Sequence, residues 1–248
     1  MILLSFQRGL LRSIALVLFV GPFLFGPGVA QASKDDLDQV LRAWIVENIY
    51  FENNRLLLIR KRPVRAHIMA DDSDIANEAR KAITNFSDAF GLEVEFTATH
   101  ANLIVVTADG VADREGKPSR SLLASLGATE AGIDLIVKTA HWSNGCGLYS
   151  TRDYQGHVSV SIVAGDKSLS SKNLKSCIVS GVIFSFGLRT KDHNIVDSTN
   201  DYIQFLLLAR SLANCERKIS PQISERNAPV RDVYVECIFN SLKAKLSE

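Results

Sequence analysis

The chain has 248 residues, of which 46% are hydrophobic and 22% are charged. This length and composition are sufficient to bury a core, and they exclude an intrinsically disordered chain. The 28 basic and 27 acidic residues leave a formal charge of +1. A chain so close to neutral gives no support for binding nucleic acid or an anionic membrane surface.

The first 32 residues have the pattern of a secretory signal peptide. Arg8 and Arg12 precede an apolar run, and Ala30-Gln31-Ala32 closes the segment. The alternative is an uncleaved membrane anchor, but Gly and Pro residues shorten the apolar run below the roughly 20 residues that a spanning helix needs. We therefore predict cleavage after Ala32. The mature protein would be periplasmic or secreted, with no stable membrane span.

All four cysteines follow the predicted cleavage site, at Cys146, Cys177, Cys215 and Cys237. An even number of cysteines in an exported chain favours two disulfides over free thiols. Three pairings are possible, and the order of the predicted elements favours Cys146 with Cys177 and Cys215 with Cys237. Because no two cysteines have CxxC spacing, a zinc site is the weaker alternative. We predict no cofactor.

Hydrophobic periodicity and turn residues predict the elements of the amino-terminal half. They are a helix over 33–54, extended segments over 55–59 and 62–69, a helix over 73–90, and strands over 92–98 and 101–107. The helix over 73–90 is the clearest, because its apolar residues recur at helical spacing and Gly91 follows as a stop. The basic residues Arg60, Lys61, Arg62 and Arg65 are interpreted as a solvated face rather than an anion site.

The carboxy-terminal half is predicted to contain a hairpin, a short helix and three longer helices. The elements are a loop over 109–127 with a short helix over 121–126, a hairpin with strands over 147–151 and 157–163, and helices over 172–186, 202–212 and 228–246. The pattern over 129–142 fits either a helix or a short strand. We predict one α+β domain over 33–248, with an amino-terminal helix over 33–54 and a helical extension over 214–248.

The segment from 177 to 190 has the spacing of the zinc signature HExxHxxGxxH without its residues. The three ligand positions hold Ser180, Phe184 and Thr190, the position of the catalytic base holds Gly181, and Gly187 stands at the turn glycine. Since none of these side chains can replace the histidines and the glutamate, the segment is predicted to be a buried structural helix. We expect Gly187 to end it.

Other candidate catalytic residues are weaker. Asp192 and His193 follow the central helix and are the best candidates for an acid or base facing a groove, although a polar surface loop is the simpler and favoured explanation. Ser185 lies in half of a nucleophile elbow, but Ile183 replaces the first glycine, so we interpret Ser185 as a helix residue. The five histidines lie in separate elements without metal-ligand spacing.

Several motifs over about 60–210 resemble the proteobacterial envelope proteins grouped as domain of unknown function 2927. They are the run from Pro63 to Leu92, Ala101-Asn102, Cys146, Cys177 with Gly187-Leu188 ten residues on, and 198–201. Members of that family resemble zinc-dependent metalloproteases in fold. The resemblance implies an α+β, metzincin-like architecture, in which a small mixed sheet packs with a central buried helix beneath a groove.

This chain departs from the family where Ser180 and Gly181 replace acids and Phe184 replaces glutamine. The sequence therefore predicts a pseudoenzyme: an exported, disulfide-stabilised, non-catalytic domain that binds a peptide or an unknown envelope protein. The opposing hypothesis is a hydrolase with a non-standard or metal-dependent site built from scattered residues such as Asp192 and His193. A third is an envelope accessory protein held by its amino-terminal helix.

Overall fold

A computed structural model describes residues 34–49, 51–52, 56–57, 59–111, 118–139, 141–143, 145–189, 199–223 and 230–246. The predicted signal peptide, Thr190, Asp192 and His193 lie outside these residues. Within the described part, no helix combines the length and the apolar character needed to cross a bilayer.

The described elements show an α+β fold. The helices are α1 (Lys34–Asn48), α2 (Ser73–Phe90), α3 (Arg120–Ser125), α4 (Glu130–Thr139), α5 (Ser171–Ser185), α6 (Thr199–Ile223) and α7 (Val230–Leu246). The strands are β1 (Phe51–Glu52), β2 (Leu56–Leu57), β3 (Val64–Met69), β4 (Val94–Phe96), β5 (Leu103–Ala108), β6 (His141–Ser143), β7 (Cys146–Arg152) and β8 (Val158–Asp166).

Two predicted boundaries differ from the structure. The first helix ends at Asn48 rather than near residue 54, because β1 and β2 follow it and pair as an antiparallel ribbon. The helix predicted over 202–212 continues to Ile223, since Cys215 and Ile219 extend its buried face. The predicted extension over 214–248 therefore begins inside a continuous helix. The ambiguous segment over 129–142 contains both a helix, α4, and a short strand, β6.

Six of the described strands form one mixed sheet in the order β4-β3-β5-β8-β7-β6. Strands β3, β4, β5 and β8 run parallel, whereas β7 is antiparallel to both of its neighbours, β8 and β6. The predicted hairpin is confirmed as β7 and β8. Parallel strands are usually covered on both faces, which accounts for the continuous apolar run in β5.

The two faces of the sheet contribute to separate hydrophobic clusters. Successive strand residues point to opposite faces. Leu103, Val105 and Val163 accordingly pack in the cluster that contains α2 and α5, while Val106 and Ile162 pack in the cluster under α3 and α4. The larger cluster also includes α6 and α7. Helix α5 is central and buried, as the sequence predicts.

Helix α1 packs against α7 at the side of the larger cluster. Arg42 forms an ion pair with Glu236 at 3.1 Å, and its guanidinium lies 3.7 Å from the centre of the Phe239 ring. Asp38 and Lys243 form a second ion pair. These contacts join the first described helix to the last.

Candidate functional site

Gly181, at the position of the catalytic base in the zinc signature, lies against strand β8 with no room for a side chain. A Cβ atom built on Gly181 would lie 2.3 Å from Cγ1 of Val163 and 3.1 Å from Cγ2. Carbon atoms in protein interiors pack at about 3.5–4.0 Å, so any larger residue would push α5 away from the sheet. The glycine is required by helix–sheet packing, and a glutamate cannot occupy this position in the observed arrangement.

Strand β8 contributes a second glycine to the same contact. A Cβ atom on Gly165 would lie 2.3 Å from Cδ1 of Leu174 on α5. We call the packing of Gly181 on Val163 and of Leu174 on Gly165 the α5–β8 contact. Glycine in a strand often marks such a close approach. The contact sets the depth at which the central helix lies against the sheet.

A disulfide reinforces the α5–β8 contact. Cys146 on β7 is bonded to Cys177 on α5, with Cα atoms 5.7 Å apart. Cys177 is 0% exposed, and its sulfur lies 3.7 Å from the carbonyl oxygen of Ala164 on β8. The second disulfide joins Cys215 on α6 to Cys237 on α7. Both predicted pairings are confirmed.

The end of α5 is formed by Gly187, as the sequence predicts. Its φ of 92° is in the left-handed region that favours glycine, and its N–H donates to the carbonyl of Phe184 at 2.8 Å. The chain then turns to α1, where Leu188 pairs with Ile49 and the N–H of Arg189 donates to Asn48. Gly187 therefore directs the chain away from the helix, as the turn glycine of the zinc signature does. The helix before it carries Ser180 and Phe184 in place of the two histidine ligands.

A buried arginine caps the same end of α5. Arg60 is 1% exposed; its Nε donates to the carbonyl of Ser185 at 3.0 Å, and its backbone N–H donates to Phe186 at 3.2 Å. The guanidinium also donates to Ser159 and Ser161 on β8. Helix carboxyl ends carry unpaired carbonyls and partial negative charge, which a cation stabilises. Burial lowers the pKa of Arg60 to about 10, so it stays charged at neutral pH.

The sequence interpretation of the basic run is therefore wrong for Arg60, which was expected on a solvated face. The burial of Arg60 was not predicted because the Ser185 carbonyl that its side chain binds is 125 residues away in the sequence. The remaining members of the run pair with acids on different elements. Lys61 pairs with Glu216, Arg62 with Asp153 at 3.5 Å and Arg65 with Glu95 at 3.4 Å. Because each of these cations pairs with an acid on a different element, the three do not point toward one common anion.

Sequence reasoning did not predict a cluster of partly buried ionisable side chains beside this run. It consists of Lys61, Asp153, His157, Glu216 and Tyr234. The hydroxyl of Tyr234 donates to Glu216, which also pairs with Lys61. Asp153 accepts the backbone N–H groups of Gln155 and His157 at 2.9 and 3.0 Å. The cluster connects the β7–β8 turn to the two carboxy-terminal helices.

Within this cluster, His157 and Asp153 are not arranged as a hydrogen-bonded acid–base dyad. Burial and the nearby Lys61 lower the pKa of His157, which keeps the imidazole neutral at pH 7. Burial alone would raise the pKa of Asp153, but the backbone N–H groups that donate to its carboxylate, together with the nearby Arg62, outweigh that effect and lower it. Nδ1 of His157 lies 3.6 Å from Oδ1 of Asp153, beyond hydrogen-bonding distance. Burial, followed by the hydrogen bond to Glu216, raises the pKa of Tyr234.

Two other positions from the zinc signature, Ser180 and Phe184, lie within the described residues. Ser180 is buried, and Phe184 packs at the edge of the larger hydrophobic cluster. Ser185 is fully buried and its hydroxyl donates to Val182 within the helix at 2.7 Å, which confirms its interpretation as a helix residue.

Among the described residues, no group of three or more His, Cys, Asp or Glu side chains is placed to hold a metal ion. Comparison of the chain with models of known families, with curated proteins and with solved structures found no match.

Proposed function

We propose that this protein is an exported, non-catalytic domain that binds an extended peptide segment of a protein in the cell envelope. Gly181 carries the non-catalytic part of the proposal, because the position of the base cannot hold a carboxylate while α5 rests on Val163. Two disulfides and the absence of a membrane-spanning helix from the described residues are compatible with export.

The proposal includes a relationship to domain of unknown function 2927 and a metzincin-like architecture. Support comes from the mixed sheet with an antiparallel strand, β7, beside the last parallel strand, and from the helix that follows. The left-handed Gly187 at the end of α5 adds to it. In this interpretation the architecture is retained while the central helix has become a structural support.

The outer edge of β7 is the binding surface that we propose. Strand β6 pairs with Cys146 to Leu148, whereas β7 continues to Arg152. Within the described residues, Tyr149 to Thr151 therefore have a strand partner on one side only, which is β8. An unpaired strand edge presents backbone N–H and C=O groups to which an extended peptide can add as a further strand.

Site-specific crosslinking tests the binding part of the proposal. A photoreactive residue in place of Arg152, which is exposed at the end of β7, is expected to capture a defined partner in cells that export the protein. The matched control places the same residue at the exposed Lys81 on α2. Equal capture from both positions, or none from Arg152, contradicts binding at this edge.

Metal content and hydrolysis test the non-catalytic part. The purified oxidised protein is expected to contain no stoichiometric zinc and to leave casein uncleaved. One equivalent of bound zinc with casein hydrolysis would overturn the proposal in favour of the hydrolase hypothesis. In that case Asp192→Asn and His193→Ala variants would identify whether those residues form the site.

A further inference from the structure

A cavity of about 600 Å³ lies between α6 and α7, and the second disulfide forms part of its wall. Its lining residues are Asn214, Cys215, Lys218, Cys237, Asn240, Ser241, Ala244 and Lys245. We call it the α6–α7 cavity. It differs from an ordinary groove between helices because both cysteines of a disulfide line it together with two cations.

The charge of the α6–α7 cavity is positive. Lys218 and Lys245 are exposed, and none of the described residues that line the cavity is acidic. The neighbouring acids on the same helices have cation partners outside the cavity: Glu216 pairs with Lys61 and Glu236 with Arg42, although Glu236 also accepts a hydrogen bond from the lining residue Asn240 at 3.4 Å. Two lysines without a lining acid attract a small anion to the surface of the disulfide.

The helical positions bring a cation close to the sulfurs. Cys215 and Lys218 are three residues apart on α6 and share one face of the helix. Cys215 is 1% exposed, whereas Cys237 is partly exposed. Cys237 is therefore the sulfur that a molecule entering the cavity reaches first. A nearby lysine stabilises the thiolate form of the other cysteine and makes it a better leaving group.

We propose that the α6–α7 cavity is a site at which an anionic thiol exchanges with the Cys215–Cys237 disulfide. The incoming thiol carries a carboxylate or sulfonate that Lys218 and Lys245 attract. Its thiolate attacks the sulfur of Cys237 and forms a new S–S bond. The electron pair of the broken bond leaves on Cys215 as a thiolate beside Lys218, so the product is a mixed disulfide on Cys237.

The Cys146–Cys177 disulfide differs in its surroundings. Cys177 is 0% exposed on a helix that rests directly on strand β8. Cys215 is nearly as buried, at 1% exposed, but Lys218 lies one helical turn from it, whereas release of Cys177 as a thiolate would place a charge against the Ala164 carbonyl. The first mixed disulfide is therefore expected at Cys237 and not at Cys146.

The test follows exchange in the folded, oxidised full chain with three thiols at equal thiolate concentration and low ionic strength. They are 2-mercaptoethanesulfonate, 2-mercaptoethanol and cysteamine, which are anionic, neutral and cationic. After an acid quench, peptide mass spectrometry locates the adduct. We expect the adduct on Cys237 and a rate that falls from the anionic to the neutral to the cationic thiol.

Lysine variants separate electrostatic attraction from simple exposure. Combined Lys218→Gln and Lys245→Gln substitutions are expected to slow the anionic thiol about five-fold, from two unit charges at about 8 Å in water, with little effect on the neutral thiol. Lys172→Gln removes an exposed lysine of α5 outside the cavity and serves as the matched control. Rates independent of thiol charge, an equal effect of Lys172→Gln, or a first adduct on Cys146 would overturn the proposal.

Discussion

The two disulfides close loops of similar length but join regions that are packed differently. The paired cysteines are 31 residues apart in one bridge and 22 in the other. Chain entropy alone assigns each about 3–4 kcal/mol of stabilisation. The Cys146–Cys177 bridge reinforces the α5–β8 contact, which two glycines and the buried Arg60 already define. The Cys215–Cys237 bridge instead spans two helices beside a cavity. The same covalent bond therefore lies within a close helix–strand contact in one region and beside a cavity in the other.

Among the variants that test this difference in packing, those that lack one disulfide should lose the most stability. The pairs Cys146→Ser with Cys177→Ser and Cys215→Ser with Cys237→Ser should each lower the free energy of unfolding by about 3–4 kcal/mol, measured in urea. Native-state hydrogen exchange should then distinguish them. Protection of α5 is expected to persist without its bridge, because its packing remains, whereas α7 should lose protection without the other. Equal loss of local protection would contradict the difference in packing.

A methyl group at the α5–β8 contact should have the next largest effect. Gly181→Ala is expected to lower the free energy of unfolding by about 3 kcal/mol, because the new carbon overlaps the side chain of Val163. Thermal and urea unfolding measure this change. Adding Val163→Ala should recover part of the loss if the clash is its cause.

Gly132→Ala in α4 is the matched control for that substitution. Among the described residues, its Cβ atom would meet the Thr129 hydroxyl at 3.3 Å, and alanine is favoured over glycine within a helix by up to about 1 kcal/mol, less in the first turn where Gly132 lies. This variant should be neutral or slightly stabilised. If both glycine variants lose stability equally, the α5–β8 contact is not as tight as the structure indicates.

Replacement of the buried arginine should have a smaller effect. Arg60→Met keeps an apolar stem but removes the guanidinium donors to the carbonyls of Ser185 and Ser159, so we expect a loss of about 2 kcal/mol in urea unfolding. Arg62→Ala removes a largely exposed cation that pairs with Asp153 and should cost under about 1 kcal/mol. A larger loss for Arg62→Ala than for Arg60→Met would contradict the capping role.

The smallest expected effect is a dependence on pH from His157. Its pKa in the folded protein is lowered from the ordinary value of 6.5. As the pH falls below 6.5, the unfolded chain therefore binds the proton first, and stability is lost until the folded state is also protonated. His157→Gln should reduce the loss in urea midpoint between pH 7.5 and pH 5. If the variant and the unmodified protein lose the same amount of urea midpoint between pH 7.5 and pH 5, His157 does not contribute to the pH dependence. Asp153 affects stability only at a lower pH than His157, because the pKa of its carboxyl group is lowered from its ordinary value.

Much of the architecture was predicted from the sequence because it depends on local patterns. The helix over 73–90 matches α2, since its apolar spacing and Gly91 are complete within one segment. The length and apolar character of α5 and the stop at Gly187 are likewise local. The pairing of the cysteines followed from the order of elements that carry them.

The parts of the site that were missed depend on residues far apart in the chain. No periodicity connects Arg60 to the end of α5, or Glu216 to Lys61. These contacts exist because the parallel strands bring distant segments side by side, an arrangement that local spacing does not specify. The end of the first helix was predicted wrongly for a different, local reason: β1 lies where helix was expected and pairs with β2, in the segment predicted to be extended.

By itself, the sequence determined that Gly181 does not act as a base, because a hydrogen atom has no proton-accepting group. Only the tertiary structure decided why glycine is there. Val163 lies on another element, and its methyl groups occupy the space that a side chain on Gly181 would need. The chemistry of a residue can be read from its identity, whereas the room available to it is set by packing between elements.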